Sequence, residues 1–402
     1  MKIITLNHSA GYGGASRAAF RVHEAINKYS DKYRSEYFPA IIHNNNLNVD
    51  HHPTKFDKYV GMIKSSIVSK FAAKIVSSEE MMSINLFNSK WPSLVNNISP
   101  DIVNLHWVCA EMMSISDIRK FTMPVIWTMH DMWAFSGFSH FPDIANSTAI
   151  MSSSNHRKEI LERWMIYRKK KLIGQDITFV SPSVWLGEKA RQSWLGDFFK
   201  IEIIPNPIDL EFWQPINKEF VRELLGVPIH SKILLFGAMN LEIDARKGYD
   251  LLFESLKLLS EKDLYIVTFG GTTGKHMIAK MHAKGFGYIQ DDLLMRMLYA
   301  SADMTIIPSR SENLPNMALE SLSCGTPVLS FDVGGLSDII QHKVNGYLAS
   351  PFDNLDLING IKFLLNENSK VSSEIARKSV SGYSYEKIGE KYADLYSKVL
   401  SS

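Results

Sequence analysis

Short apolar segments alternate with longer stretches of helical periodicity along nearly the whole chain, and this alternation restricts the fold more than any other feature. In the first half the strand-like segments are Ile3–Leu6, Ser35–Ala40, Ile102–His106, Val125–Met129, Ile177–Ser181 and Ile201–Ile204. Between the first two lies SRAAFRVHEAINKY, which places Ala18, Val22, Ala25 and Ile26 on one helical face. A second series follows: KILLFG, LYIVTFG, FGYIQ, MTIIPS and PVLSF, each trailed by a helical stretch. IPNPIDLEFWQP separates the two series, and its prolines Pro205, Pro207 and Pro215 continue neither strand nor helix. Two doubly wound α/β domains facing a central cleft are expected, joined near residues 205–218. In such sheets ligands bind beyond the carboxyl ends of the strands.

Bulk properties remove several classes of function. A chain of 402 residues exceeds one ordinary core. Its 44 basic and 42 acidic side chains nearly cancel, so no global charge favours nucleic acid. Cys109 and Cys324 stand far apart, in no metal or redox spacing, which fits a reducing compartment. MKIITLNHSAGYGG turns polar too early for a secretory signal, and no apolar run reaches the ~18–20 residues that span a bilayer. A cytoplasmic protein is expected, with the inner face of the membrane as the other location.

Four loops at strand ends could carry chemistry. In NHSAGYGGASR, Gly11, Gly13 and Gly14 precede the first helix. They permit close approach of backbone to an anion at the helix N-terminus, or they form only a tight turn. Ser16 occupies the third glycine of the dinucleotide fingerprint, so that motif is absent. HDMWAF places His130 and Asp131 after a strand, where a histidine can donate to a sugar hydroxyl or bond nearby backbone. MNLEIDARKGYD sets Arg246 and Lys247 before Gly248 and a helix. Cations there oppose the helix dipole, unless an anion sits between them or solvent covers them. In SENLPNMALESLSCGTP, Pro315 suits the first turn of a helix running through Met317, Leu319 and Leu322 to about Cys324. Glu312 then lies before the helix and Glu320 within it, with free N–H groups between them. Each carboxylate also has a plain reading, as a cap or an exposed helical face. Together, cations, glycines and carboxylates suit a ligand with phosphates and many hydroxyls: a nucleotide sugar.

SENLPNMALESLSCGTPVL resembles the E-x7-E signature of glycosyltransferase family 4, retaining enzymes with the GT-B fold. GYGGASRAAF is similar to the family's first Gly-rich loop, WTMHDMWAF to its histidine loop, ARKG to its phosphate-binding stretch, and VLSFDVGGLSDII to the segment after the signature. The resemblance covers nearly the whole chain. It implies an N-terminal acceptor-binding Rossmann-like domain at 1–205 and a nucleotide-sugar-binding one at 206–383. A helix at 384–402, with Ile388, Tyr392 and Leu395 in one stripe, would cross back to the N-terminal domain. Glu312, with Asn313, Leu314, Asn316 and Met317, would hold donor sugar and diphosphate, and Glu320 the ribose. Arg246 and Lys247 would neutralise the leaving diphosphate, which Gly13 and Gly14 abut. His130 would contact the sugar, and the backbone near Tyr288 and Ile289 the base. Two departures stand out. FGAMN replaces the family's glycine–arginine pair, and FSGFSHF replaces a cysteine-bearing run after the histidine loop.

The implied chemistry is substitution at an anomeric carbon with a nucleoside diphosphate leaving. No D-x-D motif occurs. Neither a metal nor another cofactor is expected, and cations with a helix dipole would carry the charge. Two stretches bear on the acceptor. KYVGMIKSSIVSKFAAKIV places Ile63, Ile67, Phe71 and Ile75 at helical spacing beside Lys58, Lys64, Lys70 and Lys74. RKEILERWMIYRKKKLI sets Arg157, Lys158, Arg163, Arg168, Lys169, Lys170 and Lys171 around Trp164 and Tyr167. Such helices lie on anionic membranes or are ordinary domain helices with a solvated face. A membrane surface would favour a lipid-linked saccharide or lipopolysaccharide acceptor. A nucleotide-sugar epimerase and a catalytically silent nucleotide-sugar-binding protein are the alternatives; a pyridoxal-dependent phosphorylase lacks a supporting lysine context.

Overall fold

Strands with the compositions IVNL, VIWT and ITFVS are buried at every position, as parallel strands covered on both faces must be. The computed structural model describes residues 1–44, 47–72, 81–142, 156–237, 244–259, 263–366 and 370–401. They form two units, Met1–Pro207 with Tyr385–Ser402 and Ile208–Ser384.

Unit 1 contains strands β1 (Lys2–Ala10), β2 (Arg34–Ile42), β3 (Ile102–Leu105), β4 (Val125–Thr128), β5 (Ile177–Ser181) and β6 (Lys200–Ile203). They lie in the order β2-β1-β3-β4-β5-β6, and every pairing is parallel. Its helices are α1 (Gly14–Tyr29), α2 (Lys55–Ala72), α3 (Trp91–Ile98), α4 (Ile115–Ile118), α5 (His156–Lys170) and α6 (Val184–Arg191). Ala18, Val22, Ala25 and Ile26 of α1 are all buried, as their spacing predicts.

Unit 2 contains β7 (Lys232–Gly237), β8 (Leu264–Phe269), β9 (Thr273–Ile278), β10 (Met281–Phe286), β11 (Met304–Ile307), β12 (Val328–Phe331) and β13 (Gly346–Ala349). Its helices are α7 (Lys218–Leu225), α8 (Tyr249–Leu258), α9 (Asp292–Ser301), α10 (Asn316–Ser323), α11 (Asn354–Leu365) and α12 (Ser373–Ser379). Asn217, Asp291, Asp353 and Ser372 cap α7, α9, α11 and α12 with side-chain oxygens. The sheet order is β13-β12-β11-β7-β8-β10-β9, parallel except for the β9–β10 pair. Here the structure corrects the sequence reading. No helix trails LYIVTFG; an antiparallel hairpin does. FGYIQ is not a strand, because β10 ends at Phe286 and Gly287 turns the chain at φ +63°.

The last helix, α13 (Tyr385–Ser401), belongs to unit 1 and packs on α1. Ile388, Tyr392 and Leu395 join Ile3, Val22, Ile102 and Ile126 in one apolar cluster. Hydroxyls of Tyr392 and Tyr396 bond Thr128 and Asn104 at 3.0 and 3.1 Å, fastening the helix to β4 and β3.

Each sheet reverses its strand order once. In unit 1 the chain goes from β1 to β2 on one side, then returns to β3 on the other. In unit 2 it leaves β7 for β8 and returns to β11. These reversal points open crevices at the strand carboxyl ends.

Candidate functional site

The unit 2 reversal point brings Arg246, Lys247 and Glu312 together. Residues Ala245–Lys247 form one 3-10 turn after β7, with the Asp244 side chain accepting from the Arg246 N–H. Gly248 follows at φ +66°, and a Cβ there would lie 1.9 Å from the Pro308 carbonyl oxygen. Only glycine lets this turn approach the loop after β11 so closely. Arg310 seals the two loops from the far side, its N–H bonding the Arg246 carbonyl at 2.8 Å and its guanidinium gripping Asp250 at 2.8 and 2.5 Å.

Glu312 Oε1 is the hub. It accepts from Lys247 Nζ at 2.6 Å, Ser309 Oγ at 3.0 Å and Arg246 Nη1 at 3.3 Å. Burial would raise the Glu312 pKa, but the Lys247 and Arg246 charges outweigh it and hold the carboxyl below its ordinary value. Burial pulls Lys247 below the usual lysine range, and Arg246 adds to that against the pull of Glu312. Arg246 also donates to Asp244 at 3.0 Å, so two cations are balanced by two carboxylates. A bound diphosphate could take over both cations at little reorganisation cost.

Helix α10 runs Asn316–Ser323 with Pro315 as its N-cap residue and Cys324 as its C-cap, so Pro315 sits just before the first turn rather than in it, and the end falls where the sequence reading put it to within a residue. No side chain caps its N-terminus. Asn313, Leu314 and Asn316 are buried and Met317 half-buried around that end. Glu320 is only 3% exposed and accepts from the Tyr299 hydroxyl at 2.9 Å, a partner that sequence spacing did not indicate. The exposed-face alternative for Glu320 is thereby corrected: residues 318–323 are buried on every side of the helix. Tyr288 is exposed and Ile289 buried, both beyond the end of β10 rather than in a strand. Residues 238–240 of FGAMN and 239–243 of the ARKG loop lie outside the described residues.

A second glycine fixes the Glu312 loop. Gly334 has φ +61°, its Cβ would stand 1.9 Å from the Glu312 carbonyl oxygen, and Gly335 N–H donates to that oxygen at 3.0 Å. Gly334→Ala is expected to destabilise unit 2 by about 1–2 kcal/mol from the left-handed backbone alone, with the collision adding to this. The displaced loop should also separate Glu312 from Lys247. Chemical denaturation of the variant checks the first effect; an unchanged midpoint would refute it.

In unit 1, Gly13 (φ 87°, ψ 163°) is the N-cap of α1 and Gly14 its first residue, directly after β1. A Cβ on Gly13 would meet nothing within 4 Å, so the loop is open on that side among the described residues. His130 follows β4. Its loop is held by Asp131, which accepts from Trp133 N–H at 2.9 Å, Trp107 Nε1 at 3.0 Å and His140 Nδ1 at 2.6 Å. His140 Nε2 continues to Ser83 Oγ at 2.9 Å. The Ser83–His140–Asp131 order is that of a nucleophilic triad, but His140 is wholly buried and Ser83 nearly so. It is a structural clamp, because substrate cannot reach it.

Lys169, expected among solvated cations, is completely buried. Leu161, Met165 and Lys169 share the inner face of α5, which forces the ammonium inward. It donates to the carbonyls of Trp133, Ser136 and Gly137 and lies 4.0 Å from the Trp133 ring centre. Burial pulls its pKa down to about 7, while three carbonyl acceptors favour the charged form. Arg168 likewise bonds the carbonyls of Ile84 and Asn85 at 2.9 and 2.8 Å. These two cations staple residues 84–85 and 133–137 to α5. Lys74 and Ile75 lie outside the described residues.

Comparison with known proteins bears on the family and the fold. Residues 230–367 match the family described as Glycosyl transferases group 1, a stretch containing Arg246, Lys247, Glu312 and Glu320. A D-inositol 3-phosphate glycosyltransferase of Xylanimonas cellulosilytica is 25% identical over 305 residues, 67% of this chain. The match spans only 64% of that relative's own length. Sucrose-phosphate synthase from Thermosynechococcus elongatus superimposes with a TM-score of 0.70 at 16% identity, covering 100% of this chain and 99% of that one. An Anabaena protein, HepE, solved in complex with UDP-glucose, gives 0.65 at 15% identity, covering 99% of this chain and 100% of that one. The fold is GT-B.

Proposed function

We propose that this chain is a retaining, metal-independent glycosyltransferase that moves a sugar from a nucleotide-diphosphate sugar to a saccharide or lipid-linked saccharide. The observation that carries this is the Arg246–Lys247–Glu312 cluster at the start of α10, at the reversal point of a doubly wound sheet. Catalysis needs charge stabilisation above all. As the anomeric bond breaks, the diphosphate gains negative charge, which the two cations and the α10 N-terminus would meet. Glu312 keeps them in place before the donor arrives and faces the sugar afterwards. Among the named site residues no side chain is an evident nucleophile, so attack by the acceptor hydroxyl on the face the leaving group departs from fits retention. The same hydroxyl proton passes to the departing phosphate. Glu320 would meet the ribose, and the backbone beside Tyr288 and Ile289 the base.

The test is product analysis. Purified protein, a nucleotide sugar and a panel of saccharide acceptors are expected to yield a glycoside whose anomeric configuration, read by NMR, equals that of the donor. Epimerised donor without acceptor would instead identify an epimerase, and donor binding without turnover a silent binding protein.

A lipid-linked acceptor at the inner membrane face is favoured by one further observation. Phe56, Tyr59, Met62, Ile63, Ile67 and Phe71 of α2 are all exposed, alongside Lys55 and Lys70. On α5, Ile160, Trp164 and Tyr167 are exposed beside Arg157, Arg163 and Lys170. Both helices flank one segment, Lys64 bonding Asn88 O and Arg168 bonding Ile84 O and Asn85 O. No described helix is long and apolar enough to cross a membrane, so contact would be interfacial. The protein should float with anionic vesicles, and Ile63→Asp with Ile67→Asp should remove most of that binding. Absence of wild-type binding would overturn this part.

A further inference from the structure

His106, to which sequence reading gave no role, lies under His130. The two residues leave adjacent strands, β3 and β4, and their rings stack at 5.2 Å with 26° between planes. Nδ1 of His106 is 2.9 Å from Nε2 of His130. His106 is 1% exposed, and its backbone N–H is tied to Leu6 of β1 at 2.9 Å. It stands at the reversal point of the unit 1 sheet. Its remaining ring nitrogen, Nε2, is buried and has no hydrogen-bond partner among the described residues.

Proton counting decides what this contact does. Burial keeps both rings neutral near pH 7. It takes His106 well below the ordinary histidine value, helped by His130, and His130 to about 4 against the opposing charge of Asp131. Two neutral imidazoles carry two protons on four nitrogens, and the short N···N gap holds one. If that proton belongs to His130 Nε2, then the proton of His106 must sit on its Nε2. A buried N–H would be left with no acceptor, among the more costly defects a core can hold. If it belongs to His106 Nδ1, the buried Nε2 keeps only a lone pair and His130 carries its proton at Nδ1. The second state is favoured.

We infer that His106 is a positioning residue: by donating Nδ1–H to Nε2 of His130, it locks His130 in the Nδ1–H tautomer. His130 then presents a hydrogen-bond donor at Nδ1 and has no base there. What the donor serves rests on the proposed sugar transfer; the tautomer itself does not.

Nitrogen-15 imidazole NMR on the full-length, ligand-free chain tests it. Wild type is expected to show the Nδ1–H pattern at His130. His106→Asn places an amide N–H where Nδ1 was and should preserve it, while His106→Leu should convert His130 to the Nε2–H form or a mixture. An Nε2–H pattern in wild type overturns the inference, as does a tautomer unchanged by His106→Leu. Should His106→Leu fail to fold, wild type and His106→Asn still decide. In a transfer assay, His106→Leu should lower kcat about tenfold, the size of one net hydrogen bond, at little cost in donor KM, and His106→Asn should recover most of it. Absent transfer by wild type would count against the proposed function and leave the NMR result standing.

Discussion

Lys247→Ala is expected to slow sugar transfer about 10²–10³-fold, corresponding to ~3–4 kcal/mol of lost charge stabilisation. Lys247 Nζ is the nearest cation to Glu312 Oε1, at 2.6 Å against 3.3 Å for Arg246 Nη1. Its removal leaves Glu312 with Arg246 and Ser309, so the carboxylate is not stranded and the fold should survive. In the proposed reaction, however, the leaving diphosphate would lose one of its two fixed cations. Arginine at the position should recover only part of the rate, because the planar guanidinium does not reproduce the compact ammonium. Steady-state kcat/KM for the donor, with a melting curve to confirm folding, reads the effect. A rate within threefold of wild type would remove Lys247 from the chemistry.

Acid should unfold unit 1. Burial lowers His8, His23 and His130 to about 4, with the His43 charge assisting at His8 and the charges of Asp50 and Asp131 opposing at His23 and His130. The unfolded chain binds these protons near the ordinary value of 6.5, so between pH 6.5 and 4 it holds more protons than the folded chain. Stability is therefore full above pH 6.5 and falls as pH drops, by up to about 3 kcal/mol per histidine, an order-of-magnitude figure. Three such groups together rival the ~5–15 kcal/mol of a typical domain. Below pH 4, Asp131 adds to the loss. Burial raises its pKa, but the contact with His140 lowers it below the ordinary value, and that stabilisation disappears on protonation. Seven of the eight tryptophans, Trp91 through Trp194, belong to unit 1, so their fluorescence follows this unit. Its melting temperature should fall steeply from pH 6.5 to 4.5; a flat profile would contradict the lowered pKa values of these rings.

Much of this architecture was readable because local chemistry and tertiary packing agree. Pro315 and Gly325 bound α10, since proline cannot sit in a helix interior and here is the N-cap residue, and glycine takes φ +79° after the last turn. Strands β3, β4 and β5 could be read from apolar runs because both faces are covered. The β9–β10 hairpin was hidden for the opposite reason. TGKHMI is an exposed edge strand with little apolar content, and only its partner's backbone makes it a strand.

The grouping of Arg246, Lys247 and Glu312 was legible from residue type and motif, and the contacts made by neighbouring loops were not. Arg246, Lys247 and Glu312 could be named from the chain alone. Lys169 was misread because a basic run suggests solvent, although its spacing from Leu161 and Met165 puts it on the inner face. Tyr299 and His106 act through contacts that no local spacing encodes. A histidine closing an apolar strand segment was the signal for His106; the structure ends that strand at Leu105.

Calorimetric titration with UDP-, GDP- and ADP-sugars in the presence of a chelator tests the donor site most directly. One nucleotide sugar should bind saturably without metal, and both Lys247→Ala and Glu320→Ala should weaken it at least tenfold while the protein stays folded. No binding by any of these donors, or binding indifferent to both substitutions, would contradict the assignment of the Arg246–Lys247–Glu312 cluster as a nucleotide-sugar site.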